Sequence, residues 1–109
     1  MTANQIFEML NTLGIDVAYR TFDNQTEYST PFVVWYFEDS DDLYADDSNY
    51  CKIRPVTVEL YTDNKEFELE SNMEALLKEH GLTYRKNETY IDTELMYMVI
   101  YESEVIYHG

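Results

Sequence analysis

Apolar residues near the N-terminus recur at helical spacing. Thr2 and Gln5 stand at the spacing of an N-terminal capping box. Intervals of three and four residues then separate Ala3, Ile6, Phe7, Leu10 and Leu13. Gly14 is a typical C-terminal stop. The pattern therefore predicts a first helix over residues 3–13.

Three stretches in the first half have the composition of β-strands. Residues 17–22 predict a short strand. Residues 31–37 are continuously apolar, β-branched and aromatic, which predicts a central strand with a helix on one face and a partner on the other. A third strand is predicted where Val56, Val58 and Leu60 alternate with polar residues, and Pro55 would mark its start or an edge.

The second half predicts one more helix and two more strands. Asp63 and Glu66 have capping-box spacing, and an amphipathic helix ending near His80 follows from the positions of Leu69, Met73, Leu76 and Leu77. Strands are predicted near 83–86 and 95–107, with turn chemistry at 87–89. The order α-β-β-β-α-β-β predicts a single α+β domain over residues 1–109, with two helices packed on a mostly antiparallel sheet.

Residues 38–50 form the most acidic segment and carry turn-forming residue types, which predict a loop or a hairpin arm. Tyrosine is common in protein interfaces. The candidate subunit or partner interface therefore consists of Asp39, Asp41, Asp42, Tyr44, Asp46, Asp47 and Tyr50. An EF-hand calcium loop counted from Asp39 would need Gly and Glu where Tyr44 and Tyr50 stand, so no metal site is predicted.

The chain has 22 acidic and 7 basic residues, and its formal net charge is −15. Binding to nucleic-acid phosphates or to an anionic membrane would require clustered Lys and Arg, so both are improbable. Aromatic residues make up 16% of the chain, which favours a folded domain over disorder. The N-terminus does not have the pattern of a signal peptide, and synthesis in the cytosol is expected.

No catalytic motif emerges from the remaining residue types. His80 and His108 lack ligand-spaced companions, and His80 is better explained by a contact with a helix C-terminus. Cys51 is the single cysteine, and no motif pairs it with a histidine. Isolated glycines exclude a phosphate-binding loop. We therefore expect a protein that is not an enzyme, needs no cofactor and works through its surfaces.

Several segments together resemble one family of phage proteins. These are residues 43–50 (LYADDSNY), 56–65 (VTVELYTDNK), 69–77 (LESNMEALL), 90–94 (YIDTE) and 101–104 (YESE). In this order they resemble the tail-completion, or head–tail connector, proteins of long-tailed phages. The resemblance spans nearly the whole chain.

The resemblance implies a tail terminator of the virion, made in the host cytoplasm. Such a protein forms a ring, typically of six subunits, that caps the tail tube, ends its polymerisation and docks the head. Its partners would be further copies of itself, the tail tube protein and head–tail connector proteins, while DNA passes through without specific binding. The segment 38–50 would be the arm to neighbouring subunits, and a carboxylate-lined lumen would repel phosphates. The composition also permits an acidic DNA mimic that inhibits a DNA-binding enzyme.

Overall fold

The computed structural model describes residues 1–21, 29–38 and 52–107. Its elements are α1 (Ala3–Asn11), β1 (Asp16–Tyr19), β2 (Phe32–Phe37), β3 (Lys52–Thr62), α2 (Phe67–Glu79), β4 (Tyr84–Ile91) and β5 (Met96–Tyr107). The strands form one sheet in the order β1-β2-β3-β5-β4. β1 and β2 are parallel, and the other neighbouring pairs are antiparallel. The predicted α+β class and element order are confirmed.

Helix α1 begins with the predicted capping box. The Gln5 backbone N–H donates to Thr2 Oγ1 at 3.2 Å, and the Thr2 backbone N–H donates to Gln5 Oε1 at 2.8 Å. The helix ends at Asn11, two residues earlier than predicted, with Thr12 as its C-cap. Ile6, Met9 and Leu10 are buried on the side of the helix that faces the sheet.

Helix α2 begins differently from the prediction and ends close to it. The Asp63–Glu66 capping box is wrong, because Glu66 is itself the N-cap and makes no side-chain capping bond. At the other end, the Gly81 N–H donates to the Lys78 carbonyl and the Leu82 N–H donates to the Leu77 carbonyl, both at 2.9 Å. These are the two bonds of a Schellman motif, whose left-handed residue is Gly81 at φ +75.

Pro55 is not the start of β3, which begins at Lys52, but it lies where the ladder to β2 ends, in agreement with the predicted edge position. The Pro55 carbonyl accepts the Glu38 N–H at 2.9 Å, so the backbone of Pro55 points toward β2. The ladder between β2 and β3 ends at Phe37 and Val56, one residue short of Pro55. In an antiparallel ladder, the N–H and C=O of one residue point to the same neighbouring strand. Because the C=O of Pro55 points toward β2, its missing N–H removes no hydrogen bond to β5.

The turn predicted at residues 87–89 is also wrong, because these residues lie within β4. The hairpin instead closes between Ile91 and Met96, with Leu95 at a left-handed φ of 52. Pairing with the strongly apolar β5 holds the polar stretch in extended form. Tertiary pairing here outweighs local turn propensity.

The core lies between the helices and one side of the sheet, which we call the helix face. Strand alternation places Val33, Trp35 and Phe37 of β2 on this face, and the core also contains Val56, Val58, Leu60, Val99, Tyr101 and Val105. Met73 and Leu77 of α2 complete the core beside the residues of α1. Trp35 is 2% exposed and lies in the core, as predicted.

Candidate functional site

The predicted interface residues all lie outside the part of the chain that the structure describes: Asp39, Asp41, Asp42, Tyr44, Asp46, Asp47 and Tyr50. Of the segment 38–50, only Glu38 is described. Its carboxylate accepts a hydrogen bond from Thr57 Oγ1 at 2.8 Å. Glu38, the last described residue before this gap, therefore lies directly beside β3.

The side of the sheet opposite the helices forms the first candidate surface, which we call the far face. Strand register places on it Phe32, Val34, Tyr36, Thr57, Glu59, Tyr61, Met98, Ile100 and Glu102. None of these residues belongs to the core cluster that contains the two helices. The far face thus combines aromatic and aliphatic side chains with carboxylates.

Glu59 is held by two tyrosines in the middle of the far face. Tyr36 donates its hydroxyl to Glu59 Oε2 at 3.0 Å, and Tyr61 donates its hydroxyl to Glu59 Oε1 at 2.7 Å. Burial, followed by the bond to Glu59, raises the pKa of Tyr36 above 10.0. Because each carboxylate oxygen accepts a phenol, this arrangement positions side chains and does not create a free general base.

Aromatic and cationic contacts extend this arrangement along β2. The rings of Phe32 and Tyr61 stack with centroids 4.8 Å apart. Arg20 lies 5.2 Å from the ring centroid of Tyr36, and its Nη2 donates to the Phe37 carbonyl at 3.1 Å. Tyrosine, phenylalanine and arginine are the residue types that dominate the centres of protein interfaces.

The second candidate region is a group of charged side chains between α2 and β4, which we call the charge cluster. It consists of Lys65, Glu70, Glu74, Lys86 and Glu88. Lys86 Nζ lies 3.0 Å from Glu70 Oε1 and 2.7 Å from Glu74 Oε2. Lys65 is paired with both Glu70 and Glu88. Two ammonium groups thus bridge three carboxylates and tie the helix to the edge of the sheet.

Burial makes the charge cluster structurally important. Glu70 is only 3% exposed, and such a carboxylate is stable when it is paired and hydrogen-bonded. Burial raises the pKa of Glu74, but bonds from Lys86 and Tyr101 outweigh it and hold the pKa below 4.5. The Tyr101 hydroxyl donates to Glu74 Oε2 at 2.8 Å, and burial followed by this bond raises the pKa of Tyr101.

The burial of Glu70 could have been predicted from its helical spacing, although not from composition. Glu70, Met73 and Leu77 are spaced by three and four residues, so all three lie on the buried stripe of α2. A charged residue on such a stripe indicates a buried partner. The partner lysines come from a loop and from β4, and no helical spacing could have identified them.

Within residues 1–21, 29–38 and 52–107, no group of three or more His, Cys, Asp or Glu side chains could hold a metal ion. His80 Nδ1 lies 3.0 Å from the Leu76 carbonyl oxygen, which confirms the predicted contact at the helix C-terminus. In the described part of the chain, no helix is long and apolar enough to cross a membrane.

Two open depressions lie on the surface of the described region. One is lined by Pro55, residues 83–85 and residues 102–104, and another by residues of α1 together with His80. Neither lining pairs a cysteine or serine nucleophile with a histidine.

No protein-family model matches the chain. No curated protein matches it significantly. The geometry of the far face and of the charge cluster is therefore the basis for a functional proposal.

Proposed function

We propose that this chain is a structural virion protein of a long-tailed phage. Six copies form a ring that caps the tail tube, ends tube polymerisation and docks the head. Its partners are other copies of the chain, the tail tube protein and head–tail connector proteins. The chain is made in the host cytoplasm, becomes part of the tail and catalyses no reaction.

The observation that carries the proposal is the difference between the two faces of the sheet. The helix face is closed by α1 and α2 around an apolar core. On the far face Phe32 and Val34 are also buried, but Tyr36, Tyr61, Met98 and Ile100 are only half-buried beside the carboxylates of Glu59 and Glu102. An apolar, aromatic centre with a polar surround is typical of protein interfaces. A ring subunit needs such a surface on a rigid body.

The charge cluster supplies the rigidity that this role requires. Lys65 and Lys86 connect α2 to β4 through Glu70 and Glu74. Because β4 pairs with β5 along its whole length, the helix is tied to the sheet independently of the apolar core. A subunit of this kind can be added to a ring without a change in its own fold.

The distribution of charge supports a ring through which DNA passes. The described part of the far-face side carries the carboxylates of Asp16, Glu38, Glu59, Glu102 and Glu104, against the guanidinium groups of Arg85 and of Arg20, which lies against Tyr36. Together with the net charge of −15, this distribution makes the surface strongly anionic. Where carboxylates of this anionic exterior line the lumen and not a subunit contact, they repel DNA phosphates and prevent adhesion during DNA passage.

Tail assembly with purified components tests the proposal. We expect the full chain to form rings on tail tubes and to restore tubes of defined length, as measured by electron microscopy and native mass spectrometry. Tubes that stay overlong in its presence would contradict the proposal.

The role of the predicted arm can be tested separately. Asp41→Lys with Asp46→Lys should impair ring assembly without unfolding the subunit. The matched control, Glu8→Lys with Glu79→Lys, changes the net charge equally at exposed helical positions and should assemble normally. Equal assembly by both variants would remove residues 38–50 from the interface.

The acidic DNA mimic remains the second candidate because several far-face carboxylates share one side of the sheet. A mimic requires acids distributed along an exposed surface, since they must occupy phosphate positions on the target enzyme. It would inhibit a DNA-binding enzyme in competition with DNA and would leave tail length unchanged. The two assays therefore separate the candidates.

A further inference from the structure

Strand β4 is an outer strand of the sheet and presents a long polar edge. It pairs with β5 on one side and ends the strand order. Residues 84–90 are all exposed, and none of the other described strands pairs with the outer edge. Unpaired backbone N–H and C=O groups along a strand of eight residues can pair with another strand.

We propose that a second copy of this chain docks on this edge. The two β4 strands pair antiparallel about a two-fold axis at Asn87, so that the sheet continues across both copies. Such a contact is self-complementary, because the same surface serves both partners.

The register follows from backbone geometry and side-chain charge. Two residues directly opposite in an antiparallel pair either both point their N–H and C=O toward each other or both point them away. These two orientations alternate along each strand. A two-fold pair of identical strands must therefore centre on a residue and not between two residues. Centring on Asn87 places Lys86 opposite Glu88 and Tyr84 opposite Tyr90, each combination occurring twice.

The neighbouring registers are disfavoured by like charges. Centring on Lys86 would place the two Lys86 residues opposite each other. A centre at Glu88 would oppose the two Glu88 carboxylates. Centring on Asn87, which lies between these two positions, places Lys86 of each copy opposite Glu88 of the other.

The local charge of β4 also fits a second copy. The strand carries two basic residues, Arg85 and Lys86, and one acidic residue, Glu88, whereas the whole chain has a net charge of −15. Lysine on an edge strand usually prevents pairing. Here Glu70 and Glu74 hold Lys86 Nζ at 3.0 and 2.7 Å, so the side chain is held against α2 within its own chain. This edge is where a second acidic chain meets little repulsion.

This contact concerns the free chain and does not rest on the proposed ring. A two-fold interface closes with two copies and builds no ring by itself. Its loss would leave the tail-assembly experiment unaffected, and the failure of that experiment would leave the β4 contact untouched. The two proposals can therefore fail separately.

Sedimentation equilibrium of the full chain and of two Thr89 variants tests the proposal. Thr89 is exposed, lies outside the charge cluster and faces Arg85 of the second copy in this register. The wild type should reach twice the chain mass of 13.0 kDa as its concentration rises. Thr89→Glu should tighten the dimer by about threefold or more, and Thr89→Lys should weaken it by about as much.

The direction of these effects is diagnostic. Thr89→Glu makes an acidic chain more acidic, so general repulsion alone would weaken any dimer. Backbone amides of β4 should also gain hydrogen-exchange protection with increasing concentration. A monomer at all concentrations, variants that shift in the same direction, or a dimer without β4 protection would each overturn the proposal.

Discussion

Each side of the sheet has a carboxylate with two hydrogen-bonding partners, but the partners differ in chemistry. Glu70 lies on the buried side of α2, and its carboxylate is held by the ammonium groups of Lys65 and Lys86. Glu59 lies on the far face, and its carboxylate accepts two phenol hydroxyls. Ion pairs connect separate elements on one face, whereas neutral donors align neighbouring strands on the other.

The difference reflects what covers each carboxylate. Glu70 is 3% exposed, and a carboxylate buried to this extent requires ionic and hydrogen-bonding partners. Glu59 is half-buried, so solvent shares the role of its two phenol partners. The fully buried carboxylate is thus held by charge pairs, and the half-buried one by hydrogen bonds from neutral donors.

The largest expected difference between the faces is in core packing. Leu60 is completely buried beneath the helices, whereas Ile100 on the far face is half-buried. Leu60→Ala should lower the free energy of unfolding by about 3 kcal/mol, since it leaves a cavity that the helices cannot fill. Ile100→Ala should lower it by about 1 kcal/mol. Urea denaturation of both variants measures the difference, and equal losses would indicate that the far face is closed like the helix face.

Replacing each central carboxylate by an amide compares the two chemistries directly. Glu70→Gln should lower the free energy of unfolding by about 2 kcal/mol, because two lysines near a buried position lose their shared partner. Glu59→Gln should lower it by about 1 kcal/mol, because the amide can still accept one phenol. The measurement is again urea denaturation monitored by circular dichroism.

Glu88→Gln is the control for these amide variants. Glu88 also contacts Lys65, but its side chain is 42% exposed. The change should alter the unfolding free energy by about 0.5 kcal/mol or less. If Glu88→Gln were as destabilising as Glu70→Gln, burial would not be the property that makes Glu70 important.

The pH dependence of the charge cluster should give the smallest effect. Hydrogen bonds from Lys86 and Tyr101 lower the pKa of Glu74 below 4.5 in the folded protein. The stability that Glu74 contributes is therefore present above pH 4.5 and is lost as the pH falls through its lowered pKa. Glu74 and Glu70 raise the pKa of Lys86 above 10.5 in the folded protein. The stability that Lys86 contributes is therefore present below pH 10.5 and is lost as the pH rises through its raised pKa. The stability difference between wild type and Lys86→Gln should be constant between these limits and shrink outside them.

Urea denaturation across this pH range measures that difference. Lys78→Gln on the exposed side of α2 is the matched control and should follow the wild type at every pH. A Lys86→Gln curve parallel to the wild type from acid to alkali would mean that the cluster contributes no pH-dependent stability.

Local patterns correctly predicted the elements whose signals lie within a few residues. The capping box at Thr2, the stop near Gly81 and the burial of Trp35 all follow from short-range chemistry and hydrophobicity. Predictions failed where a distant strand decided the outcome. Residues 87–89 have turn propensity, yet β5 holds them in a strand. Pro55 is tolerated inside β3 because β2 ends one residue earlier.

By itself, the sequence determined the α+β class, the order of elements and the strongly acidic character of this protein. Periodicity and charge are local or additive properties, so they can be obtained without knowledge of contacts. Only the tertiary structure brought Lys65 and Lys86 to Glu70, placed Tyr36 and Tyr61 around Glu59, and left β4 at the edge of the sheet. These contacts join residues far apart in the chain, and they depend on the strand order, which periodicity does not encode.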